Sequence, residues 1–132
     1  MTVELHKDGT GAYRQRLRID EHTLFADVTR ELGGDGSAPD PHDLFDASLA
    51  ACKAITVMMV ARRRKVPLES IDVIIERDSS EEQRGHYRLA VSLHFNGDLD
   101  DDARQKLLEI ADKCPVHKLM TQTEIHIDTR LG

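Results

Sequence analysis

The chain has 132 residues, 32% of them charged, no tryptophan and a formal net charge of −6. That length suits a single domain, residues 1–132, with a modest aliphatic core, and the acidic balance argues against a general nucleic-acid binder, which is normally basic. Two cysteines are too few for a disulfide scaffold or a four-thiolate metal site, although they can pair with each other.

In chain order, the first thirty residues read as three strands with turns. The start, Met1 to Asp8, has no apolar signal-peptide core. Thr10-Gly11 is a turn signal. Ala12 to Ile19 alternates with Leu17 and Ile19 on one face, Asp20-Glu21 is a hairpin tip, and His22 to Arg30 presents Leu24, Ala26 and Val28 together. Gly33 to Pro39 is a loop whose small residues permit a tight reversal or a close backbone approach. Asp40-Pro41-His42-Asp43 is a helix start: an aspartate N-cap, proline in the first turn, and an acid three residues after the cap. The helix runs to about Lys65, where Pro67 stops it. Its apolar residues surround the axis, which predicts burial on most sides.

Interrupted by Lys53 and followed by Arg62-Arg63-Arg64-Lys65, this apolar stretch is expected to be too short to span a bilayer. The basic cluster reads as a solvated helix end. Ile71, Val73 and Ile75 mark a half-buried strand, Asp78 to Gly85 a hairpin loop, and Tyr87 to Phe95 the clearest period-two strand. Asp98 to Lys113 is a second helix, with Leu107, Leu108 and Ile110 for its buried face. Cys114-Pro115 opens a short third helix, and Thr123 to Asp128 is a last strand with Ile125 and Ile127 inward. This order implies an α+β fold with antiparallel sheet. A helix apolar on all sides needs more cover than one thin sheet supplies, so a second subunit is expected.

The two thiols sit in different settings. Cys114 is a helix N-cap followed by proline, where free N–H groups and the helix dipole favour negative charge. Cys52 lies mid-helix, where burial disfavours a thiolate, so a cation must come from elsewhere in the fold; Arg30 is the leading candidate. The bland alternative is that Cys52 is small core packing in an alanine-rich helix. Six of the seven histidines lie mostly on predicted strand faces without metal-ligand spacing, so no metal or cofactor is expected. His117 follows Cys114 by one helical turn, where it either tunes the thiol or faces solvent. A hydrolase built on Cys52, His42 and Asp43 lacks an oxyanion-hole motif.

The segments Pro41 to Cys52, ending Ser48-Leu49-Ala50-Ala51-Cys52, and Cys114-Pro115-Val116-His117-Lys118-Leu119 resemble the osmotically inducible protein C and organic hydroperoxide resistance family. The likeness extends over most of the chain. It implies an OsmC-like intertwined homodimer, with antiparallel sheets wrapped around two long central helices and active sites at the subunit interface. It further implies a thiol-dependent peroxidase that reduces organic hydroperoxides. Cys52 would be the peroxidatic residue and Cys114 the resolving one, with a lipoyl protein or thioredoxin-like dithiol as reductant. Arg30 falls where the family's thiolate-stabilising arginine is expected. The peroxide-reducing members carry glutamate directly after the helix-start proline; here His42 stands there, followed by Asp43, and either is a candidate to orient Arg30. Lys53 replaces a common aromatic, which implies a more polar pocket. The alternative within the family fold is a non-enzymatic redox sensor or small-molecule binder. The expected location is the cytoplasm, with no nucleic acid or membrane among its partners.

Overall fold

Alternation and turn chemistry shape the N-terminal region much as expected. In the computed structural model, which describes residues 1–132, β1 (Val3–Lys7), β2 (Gln15–Ile19) and β3 (His22–Ala26) form an antiparallel sheet in that order. Ile19 pairs with His22 across a two-residue tip in which Asp20 takes φ 53°. Tight hairpins need left-handed residues at the tip, and aspartate tolerates that conformation.

β3 ends at Ala26, so the expected extension to Arg30 does not form. Asp27 turns the chain instead. Its carboxylate accepts the Val28 and Ser37 N–H groups at 2.8 and 3.1 Å and the Ser37 hydroxyl at 2.6 Å. The Ser37 hydroxyl first, and then these N–H groups, hold the Asp27 carboxyl below the usual carboxylate range. Within the loop so closed, Arg30 opens a 3-10 turn, Arg30–Leu32. Gly34 lies so close to the Val28 carbonyl oxygen that a Cβ would collide with it, the close approach that the glycine cluster implies.

The chain divides into two compact units, Met1–Ala47 and Ser48–Gly132, and helix α1 (Pro41–Arg63) begins in the first and continues into the second. Its start is a reciprocal capping box: the Asp43 N–H donates to Asp40 Oδ1 at 2.8 Å, and the Asp40 N–H donates to Asp43 Oδ2 at 3.1 Å.

In the second unit, β4 (Leu68–Asp78) and β5 (Arg88–Gly97) pair antiparallel, with Ile71 opposite Phe95 and Val73 opposite Leu93. Asp100 caps α2 (Asp101–Ala111) by accepting the Ala103 N–H at 2.8 Å, and α3 (Pro115–Gln122) follows. Val57, Ala61, Phe95, Leu107 and Ala111 form the core, closed by partly buried residues including Val66, Ile71 and Leu93.

Four expectations are corrected. α1 is not buried on most sides by its own chain. Leu49, Lys53, Val57 and Ala61, four residues apart, form the buried stripe, while Phe45, Ile55, Met58 and Met59 are exposed. Nor is α1 too short to reach across a bilayer: it has 23 residues and a window of mean hydropathy 1.6, though its buried stripe is taken up by the core of a folded unit. Leu108 is exposed while Leu107 beside it is buried, because neighbours on a helix point about 100° apart. Finally, Thr123–Asp128 forms no strand, and Ile125 and Ile127 are exposed. Alternation is only half of what a strand needs. The other half is a partner edge, and no strand of the same chain pairs with this segment.

Gly97, at φ 145°, lies where a Cβ would strike the Pro67 carbonyl oxygen. Gly97→Ala therefore lowers stability by about 2 kcal/mol, seen in urea unfolding as a lower midpoint with an unchanged slope.

Candidate thiol site

Consecutive helix positions face different ways, and Cys52 and Lys53 use this to divide their tasks. Lys53 belongs to the buried stripe of α1, with only 3% of its side chain exposed. Cys52 is half-buried at the edge of that stripe. An ammonium group out of water must find acceptors. Lys53 Nζ donates to the Ala111 carbonyl at 2.9 Å and meets His117 Nδ1 at 3.0 Å, with the Asp112 carboxylate at 3.9 Å. Ala111 closes α2, whose last turn contains no basic residue. Lys53 thus supplies from another helix the positive charge that a helix C-terminus ordinarily receives from its own side chains. An ammonium can only donate, so His117 Nδ1 is the acceptor in this contact.

These contacts hold the start of α3 against α1. Cys114 is the N-cap of α3 with Pro115 at the first helical position, as its sequence predicts. The Val116 N–H, one of the free donors of the first turn, donates to Cys52 Sγ at 3.4 Å. Thr56 Oγ1 lies 3.9 Å from the same sulfur. A free donor of the α3 N-terminus is therefore directed at the cysteine of α1, an arrangement suited to negative charge on sulfur.

Cys114 itself is fully buried, with Cys52 as a neighbour. Burial pushes the Cys114 thiol above its ordinary value, and the neighbouring Cys52 adds to the rise. The His117 backbone N–H, which closes no full cap hydrogen bond, and the Lys53 charge pull the other way without overcoming burial. The expectation that the helix start lowers the Cys114 pKa is therefore corrected: removal from water outweighs one short helix end.

The two cysteines are brought together in the second unit. Arg30, His42 and Asp43 belong to the first, where Arg30 opens the 3-10 turn and Asp43 completes the capping box. No group of three histidine, cysteine or carboxylate side chains is gathered to hold a metal. Sequence reasoning read Lys53 only as a residue that makes the pocket more polar, missed its contacts to the ends of α2 and α3, and left His117 between two readings. The available signals were a lysine on the four-residue spacing of Leu49, Val57 and Ala61, and a second helix without a basic last turn.

The family model for OsmC-like proteins matches residues 34–130. No curated protein matches the chain. Among solved structures, an osmotic stress induced and detoxification response protein of Psychrobacter arcticus 273-4 has the same fold, with a TM-score of 0.76 at 21% identity over 92% of this chain and 89% of that one. The organic hydroperoxide resistance protein OsmC of Legionella pneumophila is 26% identical, with a TM-score of 0.64 over 92% and 90% of the two chains. The organic hydroperoxide resistance protein OhrB of Bacillus subtilis is 23% identical, with a TM-score of 0.55 over 92% of each chain.

The raised Cys114 pKa has a consequence for stability. The reduced folded chain holds this proton more tightly than the unfolded chain, which releases it near pH 8.5. The contribution is full below that pH and is lost as pH rises through the higher folded value. Urea unfolding from pH 7 to 10 shows a steeper loss of stability for the wild type than for Cys114→Ala.

Proposed function

The chain belongs to the OsmC-like protein family, and from that premise we propose that it is a thiol-dependent peroxidase, a single domain that reduces organic hydroperoxides through Cys52 and Cys114. The observation that carries this reading is the unequal pair of sulfurs. Cys52 is half-buried and receives the Val116 N–H, while its neighbour Cys114 is sealed from solvent. A solvent-borne oxidant reaches the first sulfur and not the second, which suits a peroxidatic and a resolving cysteine. The Legionella and Bacillus structures named for organic hydroperoxide resistance support the substrate class.

In this reading the Cys52 thiolate attacks the outer peroxide oxygen. The O–O bond breaks, the alcohol leaves with a proton, and Cys52 becomes a sulfenic acid. Cys114 then attacks the Cys52 sulfur, water is lost and a disulfide forms. A lipoyl or thioredoxin-like dithiol reopens it in the cytoplasm. Arg30 holds the Cys52 thiolate and polarises the peroxide, and Asp43 or His42 orients the guanidinium. A homodimer supplies cover for the exposed apolar face of α1.

Reduced protein mixed with excess cumene hydroperoxide and a dithiol consumes many equivalents of peroxide. Cys52→Ser abolishes turnover, and Arg30→Met lowers it at least tenfold, a typical loss for a transition-state charge contact. A single equivalent consumed, followed by arrest in the presence of dithiol, would replace the enzyme reading with a redox sensor.

A further inference from the structure

The peroxidase cycle leaves the buried lysine of α1 without a task. Lys53 is deeply buried, it follows Cys52 directly, and its ammonium lies among the end of α2 and the start of α3. Capping the Ala111 carbonyl accounts for one of its three N–H bonds and His117 Nδ1 for a second. Asp112 stands at 3.9 Å, with a mostly exposed carboxylate that water screens. The Ala111 carbonyl, His117 and this distant carboxylate thus hold the ammonium in place. The Ala111 carbonyl that accepts the ammonium at 2.9 Å also accepts the Cys114 N–H at 3.4 Å, which places the positive charge beside Cys114, where it favours the thiolate.

We propose that Lys53 is the positioning residue of the resolving step, the buried cation that steadies the Cys114 sulfur as a thiolate while it closes the disulfide with oxidised Cys52. The proposal deepens the peroxidase reading and rests on it only for the source of the oxidised Cys52. Closure is balanced without any further reactant. The S–S bond forms as the sulfenic S–O bond breaks, and the thiol proton leaves with the hydroxyl group as water. The difficulty of this step is that the attacking sulfur is sealed from water, which alone would keep it protonated. A charge carried on the helix of the other cysteine, and locked by Ala111 and His117, offsets that penalty at the point where it arises. It also gives a chemical reason for lysine directly after Cys52, on the opposite side of α1 from the solvent-facing residues.

The titratable and charged groups facing this sulfur are Cys52 and Lys53 on α1, while Asp112 after α2 and His117 on α3 face the ammonium. The test is the pH profile of disulfide closure in reduced wild-type protein and Lys53→Gln, each pulsed with one equivalent of cumene hydroperoxide and, separately, with diamide. Diamide oxidises a dithiol through the same attack of the second sulfur. The proposal expects the Lys53→Gln profile to lie about one unit higher. At pH 7 closure then slows about three- to tenfold, the smaller figure allowing for the greater nucleophilicity of a more basic thiolate. Dimedone traps the Cys52 sulfenic acid that accumulates.

A purely structural lysine gives the reverse sign: its loss admits water, relieves burial and moves the profile down. An unmoved or lowered profile overturns the proposal. Closure by diamide without any reaction with hydroperoxide sinks the peroxidase reading, and the diamide profiles still decide the role of Lys53. Should Lys53→Gln fail to fold, nitrogen NMR of the wild type decides. The Lys53 ammonium resonance moves with the Cys114 titration and is still in Cys114→Ser; a resonance indifferent to that titration refutes the assignment.

Discussion

A lysine ammonium held out of water beside two cysteines is the constraint on which the site depends. Removing an ammonium from water costs several kcal/mol, so its position is set by whichever acceptors offset that cost. Here they are the last carbonyl of α2, the imidazole of His117 and, at longer range, Asp112. Two stand at the end of α2 and one on α3, so satisfying one ammonium fixes the end of α2 and the beginning of α3 against α1. The position of the Val116 N–H at the Cys52 sulfur follows from that fixation. The apolar core of Val57, Ala61, Phe95, Leu107 and Ala111 supplies the bulk of the packing, but dispersion alone is non-directional and would not select this rotation of α3.

The two sulfurs acquire unequal characters from this arrangement. A helix N-terminus usually serves its own cap residue, yet the first turn of α3 directs a donor at the cysteine of another helix. Its own cap cysteine is left in a dry pocket where burial governs its protonation. Such asymmetry suits sequential chemistry, because exposure selects which sulfur meets the oxidant and contact selects which sulfur answers. Two equally exposed thiols would compete for the same oxidant and gain no order of events.

The outer face of α1 raises a separate physical question. Phe45, Ile55, Met58 and Met59 are exposed apolar residues of α1, and Ile125, Ile127 and Leu131 are exposed beyond the last helix. Large contiguous apolar surface is rare on a monomer. An unpaired extended segment likewise has backbone groups that a partner edge can satisfy. Both features suit the proposed homodimer, in which a second copy covers what one chain leaves open. They also explain why the residues of the last segment alternate like a strand without forming one within the chain.

Much of the local structure was legible in the sequence. Asp40, Pro41 and Asp43 announce the start of α1, Asp20 the β2–β3 hairpin tip, and Tyr87 to Phe95 the strand β5, because capping, left-handed turns and period-two alternation act over a few neighbouring residues. The Cys-Pro start of α3 was equally plain. What only the tertiary structure decided involves groups that meet across long sequence separation: the Val116 N–H on Cys52, the Lys53 ammonium on Ala111 and His117, and the burial of Cys114. Burial reversed the expected direction of the Cys114 pKa, because desolvation depends on every element packed around a sulfur and no short window of sequence contains them. The helix start was written locally, and the environment of its sulfur was not.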